Sequence, residues 1–345
     1  MKKLLNTLYV TMPDSYLSKD GTNVVVSADG KELFRIPVLN LDSICCFGYQ
    51  GASPGLMRLC SQHGVGLSFF SPRGKFVARI QGPVAGNILL RKRQYEAMDD
   101  DALRLNVSKL FITGKIYNSR VALRRFLRDY PGRPGADGVE HAAGRLKYQM
   151  QRVGVAETVD TLRGIEGDAA NAYFGVFKHL ILNPSECFTF IRRVKRPPTD
   201  PVNAMLSFGY SMLANECAAA LEGVGLDPAA GFMHTLRPGR NSLALDLMEE
   251  MRSYIVDRLV LSIINNRQLN EKHFMQSDED GLPVYFTDNG LKKFLSCWQT
   301  KKNAEITHPF LNEKIKLGLL PHVQALLLAK YLRGDLDNYP VFLSK

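Results

Sequence analysis

Apolar and polar residues alternate over short runs in the first part of the chain, then recur at helical spacing through the remainder. Asn23–Ser27 (NVVVS) and Glu32–Val38 (ELFRIPV) flank Asp29-Gly30. Those two residues tolerate the positive φ angles of a tight turn, so the pattern predicts a β-hairpin there. Leu67–Phe70 and Phe76–Ile80 flank Ser71-Pro72-Arg73-Gly74-Lys75 and predict a second hairpin. Between them, Ser53-Pro54 pairs an N-cap side chain with a proline suited to a first helical turn, which predicts a short helix over Ser53–His63.

From about residue 87 glycine and proline thin out and apolar residues return every three or four positions. This period predicts helices over roughly 88–106, 107–128, 142–158, 160–181, 201–222, 242–266, 288–301 and 312–332. Pro131–Gly138 (PGRPGADG) is expected to be a surface loop, and Asn183–Pro201 a long irregular connection. The predicted fold class is α+β: a small β-rich N-terminal domain over 1–86, then a larger all-α C-terminal domain over 87–345.

Composition adds a bias toward anionic partners. Hydrophobic residues make up 45% and charged residues 23% of the 345, enough to bury a core. Lys and Arg total 44 against 34 Asp and Glu, a net charge of +10. Such a surplus suits nucleic acid, an acidic protein or a membrane surface, with a solvated basic surface as the plain alternative. The six cysteines form no C-x-x-C pair, and the adjacent Cys45-Cys46 is not a zinc spacing, so reduced thiols are expected. The opening MKKLLNTLYVTMPDSYL lacks the apolar core and cleavage site of a signal peptide, and no run of about 20 apolar residues occurs. The expected location is the cytoplasm.

Three segments carry candidate chemistry. In Leu162–Phe174 (LRGIEGDAANAYF), Gly164 and Gly167 bracket Glu166 and small residues follow at helical spacing, which would allow close approach of a helix or ligand. A carboxylate on such a face needs a cation partner if buried; an exposed Glu facing the helix dipole is the competing reading. In Gly231–Arg240 (GFMHTLRPGR), His234 precedes a Pro/Gly loop with two arginines; a satisfied core histidine competes with a ligand. In Ser242–Asn266, Asp246, Glu249, Glu250, Ser253 and Asp257 fall along one stripe beside the apolar face. A solvated face is the usual reason for such a stripe, and a divalent cation is the other. Carboxylates plus one imidazole suit Mg²⁺ or Mn²⁺ rather than structural zinc. A G-x-S-x-G elbow, a P-loop and a dinucleotide fingerprint are all absent.

Basic clusters lie close by in sequence. Arg192, Arg193, Lys195 and Arg196 occupy the irregular connection, and Arg237 and Arg240 follow His234. They are candidates for phosphate-backbone contact with double-stranded DNA. With one tryptophan and no aromatic stripe, base stacking on single strands is less supported.

The order and separation of GIEGDAANAYF (Gly164–Phe174), RRVKRPPTDPVNAMLSFGY (Arg192–Tyr210), GLDPAAGFMHTLRPGRNSLALDLMEEMR (Gly225–Arg252) and KIYN (Lys115–Asn118) carry a resemblance. Over nearly its whole length the sequence resembles the CRISPR-associated integrase, the larger subunit of the spacer-acquisition complex, and within it the type I-C variety. The resemblance implies a β-rich N-terminal and α-helical C-terminal domain. It also implies a homodimer that joins a small second CRISPR-associated adaptation protein. It implies a divalent-metal site in which Glu166, His234 and Glu249 are the ligands and Asp246 is a supporting carboxylate. The implied reaction is transesterification, a 3′-hydroxyl of incoming DNA attacking a phosphodiester at the repeat array, with endonuclease activity when water replaces the hydroxyl. A non-catalytic DNA-binding scaffold and a small-substrate phosphohydrolase remain competing readings. The first reading requires Glu166, His234 and Glu249 to converge in space.

Overall fold

The computed structural model describes residues 6–12, 14–48, 51–72, 76–80, 82, 88–183, 185–277 and 283–344. The expected turn Arg73–Lys75, the expected domain boundary at 86/87 and residues 1–5 of the opening stretch lie outside them.

The first hairpin forms where its turn chemistry places it. Strands β1 (Thr7–Val10), β2 (Tyr16–Asp20), β3 (Asn23–Ala28) and β4 (Lys31–Pro37) come first, and β2-β3-β4 make an antiparallel sheet. Asp29 and Gly30 take φ of 50° and 73°, as a two-residue turn requires. Next come β5 (Ser43–Phe47), helix α1 (Pro54–Gln62), β6 (Gly66–Phe70) and β7 (Phe76–Ile80). Ser53 Oγ accepts a hydrogen bond from Leu56 N at 3.2 Å and Pro54 opens α1.

The second sheet, in order β1-β5-β6-β7, has parallel β1/β5 and β5/β6 pairs and an antiparallel β6/β7 pair. Hairpin signals do not predict the parallel pairs. Parallel neighbours cannot be joined by a tight turn, so the β2-β3-β4 sheet makes the connection from β1 to β5 and α1 the crossover from β5 to β6. Strand β5 is buried on both faces: Ile44 and Cys46 enter a small core with α1, while Cys45 and Phe47 join the main helical core. Phe47 stacks on Phe70 with centroids 4.9 Å apart and lies 5.9 Å from Phe208.

The helical region comprises α2 (Ile88–Asp99), α3 (Asp101–Asp129), α4 (Ala136–Val155), α5 (Val159–Gly175), α6 (Pro201–Gly223), α7 (Ser242–Glu249), α8 (Arg258–Asn265), α9 (Asp288–Asn303) and α10 (Leu320–Arg333). The break expected near 106/107 falls instead at Asp100, whose carboxylate accepts from Leu103 N at 2.9 Å and caps the 29-residue α3. The loop expected to run to Gly138 ends sooner, α4 starting at Ala136. The helix expected over 242–266 is interrupted by a π-helical turn, Ser253–Asp257. The helix expected from 312 begins at Leu320.

The C-terminal region is not all-α. Two ribbons, β8 (Phe274–Gln276) with β9 (Val284–Phe286) and β10 (Glu305–Thr307) with β11 (Lys314–Lys316), interrupt the helices. Three-residue strands are too short to show a period in the sequence. All six cysteines are free, with Cys187 and Cys297 half-buried and the others buried. Among the described residues no helix is long and apolar enough to cross a membrane.

Candidate active site

The three segments singled out in the sequence meet beside the middle of α3. Thr158 caps α5, its hydroxyl accepting from Thr161 N at 3.1 Å, and Leu162, Ile165, Ala169 and Ala172 bury one face of that helix. Glu166 projects beside this face toward Lys115 of α3, and its side chain is 27% exposed. A Cβ added at Gly164 or Gly167 would meet nothing within 4 Å, so their smallness serves no helix contact.

The G-F-M-H segment packs tightly on the start of α7. A Cβ at Gly231 would stand 2.7 Å from the Ser242 backbone and 2.9 Å from Asp246 Oδ2, so only glycine fits. Asp246 is fully buried and closes the segment down. Its Oδ2 accepts from Phe232 N at 2.7 Å and Met233 N at 3.0 Å, and its Oδ1 accepts from His234 N at 3.0 Å. His234 Nδ1 lies 2.6 Å from the same Oδ1. The neutral ring therefore carries its proton on Nδ1 and leaves Nε2 as the nitrogen with a free lone pair. Asp246 is committed to the loop and the imidazole.

Glu249, at the end of α7, is almost wholly buried. Its Oε1 accepts from Arg252 Nη1 at 2.7 Å, and its Oε2 lies 2.8 Å from Lys115 Nζ. Lys115 also pairs with Glu166 Oε1, so one ammonium joins the two carboxylates. Burial alone would raise the Glu249 pKa, but the charges of Arg252, Lys115 and His234 outweigh it and hold the carboxyl well below the usual range. Glu249 is ionised at any physiological pH. Among the described residues no three His, Cys, Asp or Glu side chains are grouped so that they could hold a metal ion, and Lys115 Nζ sits between the two glutamates.

The acidic stripe of residues 246–257 is not a solvated face. Asp246, Glu249, Glu250, Ser253 and Asp257 are all buried, and the π turn rotates successive members toward different partners. Glu250 accepts from Phe342 N at 2.6 Å and Gln324 Nε2 at 3.0 Å, and burial raises its pKa to about 7. Asp257 accepts from Tyr210 OH. Burial raises its pKa to about 6 despite that bond and the nearby Arg252.

Among the basic candidates, Arg192, Lys195, Arg196 and Arg237 are exposed and Arg240 is half-buried. Although the residue is exposed overall, partial desolvation of the Lys195 ammonium and the positive charges of Arg252 and Lys115 lower its pKa, so it senses the charges of the site. Arg193 differs. Its guanidinium donates to Asn203 Oδ1 at 2.8 Å and Ser207 Oγ at 3.0 Å and lies 5.4 Å from the Tyr210 ring centroid. It ties the irregular connection to α6 and is not available to an outside phosphate. Sequence reasoning gave no role to Lys115, which stood in the KIYN motif, or to Arg252, one turn beyond Glu249.

Residues 8–300 match the family model described as "CRISPR associated protein Cas1". The chain is 49% identical over 344 residues to "CRISPR-associated endonuclease Cas1 2" of Rhodospirillum rubrum, covering 99% of this chain and 98% of that protein. It is 47% identical over 342 residues to "CRISPR-associated endonuclease Cas1 1" of Chlorobaculum tepidum, covering 99% of each. In fold it matches a solved CAS1 protein from Thermotoga maritima with a TM-score of 0.82 at 24% identity, over 99% of this chain and 100% of that one. The chain belongs to the CRISPR-associated protein Cas1 family.

Proposed function

We propose that this chain is a divalent-metal-dependent DNA integrase and endonuclease of CRISPR adaptation, which joins the 3′-hydroxyl ends of short DNA fragments to the repeat array. The observation that carries the proposal is the meeting of Glu166 and Glu249 at one cation beside an imidazole fixed by Asp246. Glu249 Oε2 is buried and its partner is the Lys115 ammonium, 2.8 Å away, so the atom already faces a cation. Two carboxylates and one imidazole nitrogen fit Mg²⁺ or Mn²⁺. Glu166, His234 through Nε2, and Glu249 would hold the ion, with Lys115 withdrawing from between the glutamates.

When bound, such an ion polarises the scissile phosphate and lowers the pKa of the attacking hydroxyl. The chain's own residues prepare the site for that ion. Asp246 orients His234, and Arg252 keeps Glu249 ionised. Arg192, Lys195, Arg196, Arg237 and Arg240 hold backbone phosphates of double-stranded DNA near the opening. No side-chain nucleophile is required.

The remaining expectations belong to the same reading. Residues 1–86 form the β-rich domain that mediates homodimerisation and contact with a small second CRISPR-associated adaptation protein, and 87–345 form the catalytic domain. The enzyme works in the cytoplasm, and its motif series resembles the type I-C variety. The test is strand transfer: 3′-hydroxyl DNA, a repeat-containing target and Mn²⁺, with and without the smaller partner. Joined products are expected from the wild type and lost in Glu166→Ala, His234→Ala and Glu249→Ala. Full joining by all three variants would overturn the assignment.

A further inference from the structure

A cluster of positive charge beyond the catalytic carboxylates lacks a matching negative one. Tyr254, in the π turn, stands against Phe342 with ring centroids 5.2 Å apart. Arg258 of α8 lies 4.6 Å from the Tyr254 ring centroid, and Lys301 of α9 lies 5.9 Å from it. Arg125 of α3 faces the same region. Its charge and that of Arg258, after burial itself, lower the Lys301 pKa to about 8. The Arg258 guanidinium is itself lowered, by burial and then by Arg125 among its neighbours.

Among the described residues neither Arg258 nor Lys301 forms an ion pair with a carboxylate. Arg125 has Asp129 at 3.3 Å, but that exposed carboxylate is shared with Arg128 at 2.9 Å. One aromatic face can accept a cation, not the combined charge of three. Arg258 and Lys301 are half-buried and Arg125 is exposed; like charges gathered around half-buried positions disfavour the folded state unless a ligand compensates them. Two guanidiniums and an ammonium converging from separate helices are the donor set that recognises a phosphate group.

We infer that Arg125, Arg258 and Lys301 around Tyr254 form an anion site that receives a backbone phosphate of the bound DNA. Arg258 follows Glu249 by nine residues on one helical run. That separates the site from the catalytic carboxylate by roughly 13 Å at helical rise, or about four nucleotides along a strand. The inference rests on the DNA-binding reading above for the identity of the ligand, but not for the anion site itself.

The experiment uses the full chain as wild type, Lys301→Met and Arg258→Gln. In phosphate-free buffer Lys301→Met should raise Tm by about 2 °C or more, since it removes an uncompensated charge. Inorganic phosphate should raise the Tm of the wild type and not that of Lys301→Met. For a DNA duplex, the slope of log affinity against log salt should fall by about 0.9 for each cation removed. A lowered Tm for Lys301→Met with unchanged salt slopes in both variants would overturn the proposal and make the cations structural. If the wild type shows no salt-sensitive duplex binding, the DNA reading fails. Phosphate protection lost in Lys301→Met would then still uphold the anion site.

Discussion

Asp246 Oδ1 stands 2.6 Å from His234 Nδ1 while the same carboxylate accepts the backbone N–H groups of Phe232, Met233 and His234. One buried side chain thus sets the path of the G-F-M-H segment and the tautomer of its histidine. Asp246→Asn keeps the volume but replaces an acceptor oxygen with an NH₂ facing N–H donors. Mn²⁺ affinity should fall about 10- to 100-fold, the usual effect of losing a partner behind a metal-binding histidine. A Mn²⁺ titration showing wild-type affinity in Asp246→Asn would contradict this.

Lys115→Met tests the cation between the two glutamates. Without metal, Glu166 and Glu249 are left facing each other in a largely buried site, and stability should fall by about 2–3 kcal/mol. Mn²⁺ should restore most of it and bind the variant more tightly than the wild type, because no ammonium competes. Thermal unfolding with and without Mn²⁺ checks both effects; equal Tm values for the two proteins without metal, or no larger Mn²⁺-induced rise in Tm for the variant than for the wild type, would refute them.

Asp257 gives a pH signature. Its folded pKa of about 6 lies above the unfolded carboxylate value, because burial disfavours the charge. The folded state therefore binds more protons than the unfolded state over roughly pH 4–6, and Asp257's contribution to stability declines as pH rises through that window. Asp257→Asn removes the titration and leaves an acceptor for Tyr210 OH. Relative to the wild type, the variant should gain about 2 kcal/mol between pH 4.5 and pH 7.5. Denaturant unfolding at both pH values measures this, and a pH-independent difference would mean that Asp257 titrates normally.

Asn118 fastens residues 335–344 behind the site. Its Nδ2 donates to Glu250 O at 2.6 Å and Phe342 O at 2.8 Å, and its Oδ1 accepts from Ser344 N at 2.8 Å. It lies one turn beyond Lys115 on α3, so the bonds hold α3 and α7 in register as well. Asn118→Ala leaves buried backbone groups unmatched, at a cost of about 3 kcal/mol. Amide exchange at Phe342 and Ser344 should accelerate at least tenfold. Unchanged exchange there would show that the segment is held without Asn118, by the Glu250 carboxylate and the packing of Tyr339 and Phe342.

Local chemistry made much of the secondary structure legible. Asp29-Gly30 specified a turn because its residues accept positive φ, and Ser53-Pro54 specified a helix start because a hydroxyl and a missing N–H suit the first turn. The helical period located most of the C-terminal elements. Boundaries failed where one side chain decided them, as Asp100 did by capping α3, and where strands were too short to show a period.

The sequence by itself singled out the candidate residues: Glu166, His234, Glu249 and Asp246 were picked out through their motifs. Only the tertiary structure decided what each of them faces. Lys115 and Glu166 are 51 residues apart, and Asn118 reaches Glu250 across 132, distances at which spacing along the chain says nothing about contact. The same packing turned Arg193 inward and buried an acidic stripe for which the sequence left a solvated face and a cation site both open. Periodicity defines the faces of one helix, but a charged side chain's role depends on which other helix closes over that face and whether it brings a counter-charge.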